Sequence, residues 1–261
     1  MQVVIVNSAQ EVATLGASHC LKLITAKPET VLGLATGSTP VALYGELIEL
    51  QARKFLSFKQ CSSFNLDEYI GLDPSHPQSY RHFMNFHLFD HIDIDKNNTY
   101  VPDGMSDPKR SAVDYEEQIV TSGGIDLQIL GVGRNGHIGF NEPSSSLVSR
   151  TRIKTLTAGT IADNQRFFSE DEFQPSLAIT MGIATILESR KILLLATGVS
   201  KAKAVRDLVE GPLSASCPAS ALQMHNNTVV IIDREAASEL EHSEYYQQVK
   251  LETEQLANNN D

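Results

Sequence analysis

A histidine and a glutamate lie five residues apart in a glycine-rich segment of the chain, 131–143 (GVGRNGHIGFNEP). The pair, His137 and Glu142, could tune and orient an imidazole for acid–base work. The segment also contains G-x-G-x-x-G, a pattern typical of dinucleotide-binding turns. That interpretation fails on context, because such a fingerprint opens a helix, and Gly139 and Pro143 interrupt one here. An ordinary structural loop remains the alternative to catalysis.

Two neighbouring carboxylates, Asp67 and Glu68, directly follow a short apolar run in FNLDEY (64–69). Adjacent residues of an extended segment point to opposite faces, so only one of the pair can readily enter a given pocket. A carboxylate in that position could act as a general base. Taken alone, the motif favours a solvated acidic loop over catalysis.

The tetrapeptide LATG occurs twice, each time ahead of a predicted helix, in LATGSTP (34–40) and in LATGVSK (195–201). Pro40 suits the first position of a helix. Backbone N–H groups at a helix start can bind a phosphate, and Lys201 adds a cation beside the second start. The alternatives are an ordinary strand-to-helix turn and a solvated surface lysine.

A metal site was considered around two histidines that stand four residues apart, His87 and His91, with Asp93 and Asp95 after them. Two histidines at this spacing can bind one metal from a single helical turn. The surrounding phenylalanine and leucine residues favour a packed helix end, and no third ligand is indicated. The sequence therefore predicts no metal centre.

The elements that must position these groups are short β-branched or aliphatic runs that alternate with helical patterns, which indicates a parallel sheet covered by helices. Ser8 and Glu11 form a capping box ahead of the first helix. The fold class predicted is α/β, a three-layer αβα sandwich with a mostly parallel, Rossmann-like sheet, as one domain over 1–261. Functional groups should gather where the strands end. The predicted strands are 3–6, 31–35, 64–66, 125–130, 192–196 and 229–232.

Composition excludes several classes of function. A formal net charge of −11 and the lack of a dense basic run disfavour nucleic acid as a partner. No secretory signal or membrane-spanning stretch is recognisable, so no membrane association and a cytoplasmic location are expected. Cys20, Cys61 and Cys217 are too widely spaced to indicate a disulfide framework or a zinc site.

Together these segments resemble the glucosamine-6-phosphate deaminase family. The similarity runs through most of the chain, and FNLDEY with GHIGFNEP distinguishes the deaminases from the related lactonases and isomerases. The motifs that carry the resemblance are LATGSTP, FNLDEYIGL, HPQSY, GVGRNGHIGFNEP, SRTRIKTLT, NQRFF and ATGVSKAKA.

The resemblance implies a role for each matching position. Asp67 matches the base that moves a proton between C2 and C1 of the sugar, and His137 matches the residue that opens the pyranose ring. Glu142 and Asn135 match the positions that support this histidine, although some members have Asp where this chain has Asn135. The positions that match the family's phosphate site are Thr36, Gly37, Ser38, Thr39, Arg166 and Lys201.

The implied reaction converts glucosamine 6-phosphate and water to fructose 6-phosphate and ammonia, without a cofactor. One alternative is a 6-phosphogluconolactonase, which needs no base for C–H abstraction. The other is a non-catalytic sugar-phosphate sensor, which would need a DNA-binding module. The first predicted strand leaves no room ahead of it for such a module, and the net charge is unfavourable.

A second phosphosugar site, at a subunit interface, is a further implication of the resemblance. The matching residues are Ser145, Ser146, Arg152 and Lys154, and the expected effector is N-acetylglucosamine 6-phosphate. The alternative is that Arg152 and Lys154 are surface cations on a strand, and the sequence does not separate the two. Family members range from small assemblies to hexamers, so a homo-oligomer is expected and its size is left open.

Overall fold

The computed structural model of the chain describes residues 1–157 and 173–258, which form an α/β fold around a seven-stranded sheet. Its order is β1-β10-β9-β6-β2-β3-β5, and every neighbouring pair is parallel. The strands are β1 (Gln2–Val6), β2 (Val31–Leu34), β3 (Ser62–Asn65), β4 (Asp67–Tyr69), β5 (Thr99–Tyr100), β6 (Leu127–Leu130), β7 (Arg152–Thr155), β8 (Leu177–Thr180), β9 (Ile192–Ala196) and β10 (Thr228–Asp233).

Helices cover both faces of this sheet, because its central strands are apolar on both faces and each face must be shielded from water. One core joins α1, α2 and α3 to side chains such as Leu32 and Leu193. The other joins α4 and α6 to side chains such as Leu130 and Leu194. The helices are α1 (Ala9–Ala26), α2 (Ser38–Ala52), α3 (Tyr80–His87), α4 (Pro108–Thr121), α5 (Ile183–Leu187), α6 (Ala202–Val209) and α7 (Ser243–Asn258). The predicted three-layer αβα class is confirmed.

The start of α1 shows a small departure from the predicted capping box. Ser8 is the N-cap, and its hydroxyl accepts the N–H of Glu11 at 3.2 Å. The Glu11 carboxylate binds the N–H of Asn7 at 3.0 Å, one residue before the N-cap. Both halves of the motif are present, with the return bond displaced by one residue.

A second, antiparallel sheet of order β4-β8-β7 is a feature that the sequence did not predict. Its strands are three or four residues long, and polar residues interrupt the apolar pattern in DEY and RIKT. Only Leu66 separates β3 from β4, so the small sheet begins where the large one ends. Within it, Asp67 pairs with Thr180 of β8.

The strand order reverses between β2 and β6, which are neighbours at the centre of the large sheet. From β2 the chain continues outward through β3 to β5, whereas from β6 it continues the other way through β9 to β10, which pairs with β1 at the opposite edge. The connections after β2 and β6 therefore diverge and leave a crevice at the carboxyl ends of the strands. Such a reversal is the usual ligand site of open α/β sheets.

Two further findings concern the whole described chain. None of the helices within 1–157 and 173–258 is long and apolar enough to cross a membrane. Cys20, Cys61 and Cys217 are buried and carry free thiols. That the chain forms a single domain over 1–261 stays a prediction.

Candidate active site

An open cleft of about 530 Å³ lies at the switch point between β2 and β6. Residues that follow β2, β3, β6 and β9 line it, so four strand ends contribute to one site. Of the residues predicted from the sequence, the cleft brings together Thr36, Gly37, Ser38, Thr39, Asp67, Asn135, His137 and Lys201.

The loop after β2 presents the start of α2 to the cleft. Gly37 is the N-cap, with φ at +109°, a backbone conformation that favours glycine. Among the described residues no side chain caps this helix, so its first N–H groups are not satisfied from within the loop. An uncapped helix start that faces a cleft can bind an anion.

Lys201 enters the same cleft from the connection after β9. It is the last residue of a short 3₁₀ turn, Val199–Lys201, and also the N-cap of α6. The carboxylate of Asp233 accepts the N–H of Gly198 at 3.0 Å and so fixes the loop to β10. Arg166, the other predicted phosphate cation, lies outside the described residues.

Asp67 is buried at the floor of the cleft, only 5% exposed. Burial, together with the nearby charge of Glu68, raises the pKa of its carboxyl to about 8. Hydrogen bonds from the Thr180 hydroxyl and the Phe140 N–H act in the opposite direction without cancelling that effect. An ionised Asp67 is therefore a stronger base than an ordinary carboxylate.

His137 belongs to a chain of hydrogen bonds that ends on a buried carboxylate. Its Nδ1 lies 2.7 Å from Oδ1 of Asn135, and Nδ2 of Asn135 donates to Oε2 of Glu142 at 2.8 Å. Nδ1 of His137 is also 3.5 Å from that same Oε2. Glu142 is buried, and the Thr157 hydroxyl lies 3.5 Å from its other oxygen.

This chain of bonds sets the tautomer of the neutral histidine. A reversed Asn135 amide would face the Glu142 carboxylate with its oxygen, and it would lose the bond from the His137 N–H to Oδ1 at 3.2 Å. Oδ1 only accepts, so Nδ1 of His137 must carry the proton. The lone pair of the ring then lies on Nε2.

A glycine allows the imidazole to lie against the loop after β6. A Cβ atom at Gly133 would be 2.2 Å from Cε1 of His137, closer than any real contact. Any larger residue would displace the ring. The glycines of this segment therefore serve the position of an imidazole, and the segment does not open a helix as a dinucleotide fingerprint would.

Several residues of the site were not singled out from the sequence. Tyr80, Arg134 and Thr157 line the cleft, and Thr180 bonds to Asp67 from the unpredicted strand β8. Tyr80 could have been predicted as a site residue, because it ends HPQSY, one of the motifs that carry the family resemblance. Nothing in the local sequence marks Thr180, since its part depends on the pairing of β4 with β8.

The four residues of the predicted second site differ in exposure. Ser145 is buried and Ser146 is exposed. Arg152 and Lys154 are half-buried and lie two residues apart on β7, hence on one face. Burial lowers the pKa of Lys154, and the charge of Glu142 partly opposes this, so Glu142 acts electrostatically on this strand.

The histidine pair considered for metal binding is split between two elements. Helix α3 ends at His87, and His91 ends a separate 3₁₀ turn, where its Nε2 lies 2.9 Å from the Phe86 carbonyl. The two side chains thus do not share a helical turn. Within the described ranges, no group of three or more metal-ligating side chains could hold an ion.

Comparisons with known proteins show the family to which this chain belongs. Residues 6–231 match the family described as glucosamine-6-phosphate isomerases/6-phosphogluconolactonase. A glucosamine-6-phosphate deaminase of Shewanella woodyi is 60% identical, over 98% of this chain and 97% of its own. One of Cellvibrio japonicus is 61% identical, over 98% of each.

Solved structures separate the two branches of that family. A structure described as a monomeric glucosamine-6-phosphate deaminase of the NagB superfamily is 45% identical, with a TM-score of 0.88 over 92% of this chain and all of its own. A 6-phosphogluconolactonase from Trypanosoma cruzi is 19% identical, with a TM-score of 0.74 over 92% of this chain and 97% of its own, which shows a shared fold. The chain therefore belongs to the glucosamine-6-phosphate isomerase/6-phosphogluconolactonase family and, within it, to the glucosamine-6-phosphate deaminases.

Proposed function

We propose that this enzyme converts glucosamine 6-phosphate and water to fructose 6-phosphate and ammonia. The observation that carries the proposal is the placement of a buried, strongly basic carboxylate, Asp67, in the same cleft as His137 and an uncapped helix start. The reaction needs a base for a C–H bond, a proton shuttle for ring opening and an anchor for a phosphate. Each requirement has a residue of the right type in this cleft.

The phosphate is bound by the backbone of Thr36–Thr39 and by Lys201. With a net charge of −11, the protein as a whole repels an anion, so the attraction must be local. A helix start and an ammonium group at one cleft supply it. Arg166 is a third contact proposed from the resemblance alone.

His137 opens the pyranose ring. Its Nε2 lone pair takes the proton from O1, and the imidazolium returns a proton to O5 as the C1–O5 bond breaks. Asn135 and the buried carboxylate of Glu142 hold the ring in this tautomer and stabilise the imidazolium that forms.

Asp67 then removes the proton from C2 and delivers it to C1, while the ammonium group on C2 gives up one proton and O1 gains one. The open-chain amino aldose thereby becomes a protonated ketose imine. The substrate's ammonium group on C2 lies beside Asp67 in this arrangement, and its positive charge favours the ionised carboxylate in the complex. Water adds to the imine carbon, and ammonia leaves with its bonding electrons to give fructose 6-phosphate. The final step makes the overall reaction a hydrolysis.

The decisive experiment is an assay of ammonia and fructose 6-phosphate formed together from glucosamine 6-phosphate, alongside hydrolysis of 6-phosphogluconolactone. Equal amounts of the first two products, with no lactone hydrolysis, are expected. Lactone hydrolysis without ammonia would favour the lactonase. Tight sugar-phosphate binding with no turnover of either compound would favour a sensor.

We further propose that Ser145, Ser146, Arg152 and Lys154 bind N-acetylglucosamine 6-phosphate as an effector, in a cytoplasmic homo-oligomer. The support is the common face of Arg152 and Lys154 and the electrostatic influence of Glu142 on Lys154. Sedimentation of the pure protein tests the assembly. Repeating the assay with the effector, on the unmodified chain and on Arg152→Ala, tests the site.

A further inference from the structure

Glu68 is a buried carboxylate to which the reaction scheme assigns no role. It lies next to Asp67 in β4 and is 3% exposed. Successive side chains of a strand point to opposite faces, so Asp67 can face the cleft only if Glu68 faces away from it. Burial of a carboxylate is costly unless it is hydrogen-bonded, so its partners must be accounted for.

Those partners are backbone N–H groups of two different elements. Oε1 of Glu68 accepts the N–H of Tyr69 at 2.8 Å and that of Tyr80 at 2.9 Å, and Oε2 accepts the N–H of Arg81 at 2.9 Å. Tyr80 and Arg81 are the first two residues of α3. The third N–H of the helix, that of His82, is accepted by the N-cap Ser79 at 3.0 Å. Side chains thus satisfy the whole first turn, and a carboxylate also suits the positive end of a helix.

The first residue of α3 is itself part of the cleft. The Tyr80 ring packs against Tyr69 at 4.8 Å between centroids, and it stacks on Phe140 at 6.0 Å. Its hydroxyl donates to that of Tyr69 at 3.2 Å and also bonds the Thr36 side chain of the phosphate loop. Ten residues, 70–79, connect β4 to α3 without a regular element, so the contact at Glu68 is the short route between them.

We propose that Glu68 is a positioning residue for the reaction: its buried carboxylate ties the strand that carries Asp67 to the start of α3 and so holds Tyr80 in the wall of the cleft. The inference rests on the proposed function. As a consequence, the distances between Asp67, the Tyr80 ring and the loop after β2 that is proposed to bind the phosphate stay fixed. The transfer of a proton between adjacent carbons requires such a fixed geometry.

Glu68 also acts on Asp67 through its charge. Two adjacent carboxylates in a buried site disfavour ionisation of each other, and this adds to the burial that raises the pKa of Asp67. The charged or titratable groups facing the pair are Arg81 toward Glu68, and Tyr80 and Tyr115 toward Asp67, with the Thr180 hydroxyl from β8. Of these, only Arg81 favours the ionised form of Glu68 by its own charge.

Two substitutions separate the tether from the charge. Glu68→Gln removes the charge and sets an NH₂ group against one of the N–H donors. We expect kcat to fall about tenfold, and the acid limb of kcat/KM to move down by about one pH unit. Glu68→Asp keeps the charge but shortens the reach to α3. In Glu68→Asp, kcat/KM should fall about tenfold, but the acid limb of its pH profile should stay in place.

The chain offers a matched control in Glu210. Its carboxylate accepts the N–H groups of Glu241 and His242 at 2.8 and 2.9 Å ahead of α7, and it does not line the cleft. Glu210→Gln therefore makes the same chemical change at a comparable clamp. A stability loss with unaltered kcat and an unaltered pH profile is expected.

A measurement without substrate keeps this inference distinct from the proposed function. Carboxyl ¹³C NMR, with the Asp67 signal assigned from Asp67→Asn, should show Asp67 titrating about one unit lower in Glu68→Gln. If the unmodified protein fails to release ammonia, the proposed function falls whatever this titration shows. If it is active but Glu68→Gln matches Glu210→Gln in kcat, acid limb and Asp67 titration, the inference is overturned. If Glu68→Gln does not fold, Glu68→Asp alone decides. A kcat/KM of Glu68→Asp equal to that of the unmodified enzyme would overturn the proposal that Glu68 positions α3 for the reaction.

Discussion

The two groups proposed to move protons, Asp67 and His137, have opposite surroundings in one cleft. Asp67 is 5% exposed, lies beside the like charge of Glu68 and accepts hydrogen bonds from the Thr180 hydroxyl and the Phe140 N–H. The His137 side chain is 28% exposed and reaches a carboxylate chiefly through the neutral amide of Asn135. The comparison shows two ways to prepare a base: by withdrawing it from water, and by orienting it with hydrogen bonds.

The chemical demands on the two groups explain this difference. A C–H bond adjacent to a carbonyl is a weak acid, so its base gains from desolvation that makes proton uptake favourable. Hydroxyl protons exchange readily, so ring opening needs an imidazole with a fixed tautomer and little further tuning. If this comparison is right, changes at Asp67 should alter rate and stability strongly, whereas changes around His137 should mainly alter pH dependence.

The largest effect is expected from Asp67→Asn. The amide cannot accept the C2 proton, so ammonia release should fall by about 10³-fold or more. Exchange of the C2 proton with solvent, followed by NMR in D₂O, should be lost, while binding of the sugar phosphate is largely retained. Asp73→Asn makes the same change at an exposed position and should leave both activities intact. Exchange that survives in Asp67→Asn would exclude Asp67 as the base.

The same substitution should stabilise the fold in a pH-dependent way. In the unfolded chain Asp67 loses its proton near its ordinary pKa of 3.8, whereas the folded protein holds the proton up to about pH 8. Between these values the unfolded state binds fewer protons, so the stability of the unmodified protein falls as pH rises. Asp67→Asn removes that loss.

Urea unfolding at pH 5 and pH 8.5 measures this contribution. The stability advantage of Asp67→Asn should grow by about 4 kcal/mol between the two values. Asp73→Asn again serves as the control, because hydrogen bonds to Ser75 hold the pKa of Asp73 below its usual range and outside this window. An advantage that is constant with pH would contradict the burial argument for Asp67.

Lys201→Ala should separate substrate anchoring from both proton transfers. Loss of a phosphate contact should raise KM by about tenfold, lowering C2 exchange and ammonia release equally at low substrate. The acid limb should not move, because neither base is touched. Lys203→Ala is the matched control. Lys203 is exposed, lies two residues after Lys201 and forms an ion pair with Asp207. An unchanged KM in Lys201→Ala would show that the phosphate lies elsewhere.

The sequence sufficed for six of the seven strands of the large sheet, because apolar runs bounded by turn residues are a signal that local pattern carries. It missed the edge strand β5, which is only two residues long. It also placed Asp67, His137 and Lys201 at strand ends, where a parallel sheet gathers them. It could not supply β4 and β8, since β4 is three polar or aromatic residues and β8 only four residues long, and strands this short are defined by their pairing and not by their own residues. The bond from Thr180 to Asp67 was therefore beyond it.

Electrostatic detail was likewise inaccessible before the structure. That Asp67 and Glu68 would point apart follows from strand geometry, but the three N–H donors on Glu68 come from residues 69, 80 and 81 and depend on where α3 docks. The bridge that Asn135 forms between His137 and Glu142 could likewise not be predicted from the sequence. The sequence position of Asn135 indicates a helper of His137, whereas the direction of its amide is fixed by Glu142, seven residues away.

The smallest and most specific effect is expected from Asn135→Asp, which makes the surroundings of His137 more like those of a charged dyad. The substitution would place a second carboxylate 2.7 Å from Nδ1, where the amide oxygen now lies, and a nearby negative charge favours the imidazolium. The neutral ring that accepts the ring-opening proton should then appear only at higher pH. We expect the acid limb of kcat/KM to rise by up to about one unit.

The limb reports both bases and the substrate, so it must be assigned before this result is interpreted. The unmodified enzyme gives the reference from which the titrations of the substrate's amine and phosphate are subtracted, and Asn97→Asp, an exposed change of the same kind, controls for net charge. NMR of the His137 ring separates its titration from that of Asp67, whose proposed shift on Glu68→Gln runs toward lower pH. Opposite movements in the two variants would support distinct tuning of the two bases. A limb that stays in place or falls in Asn135→Asp would mean that residue 135 holds the imidazole by geometry alone, without acting on its charge.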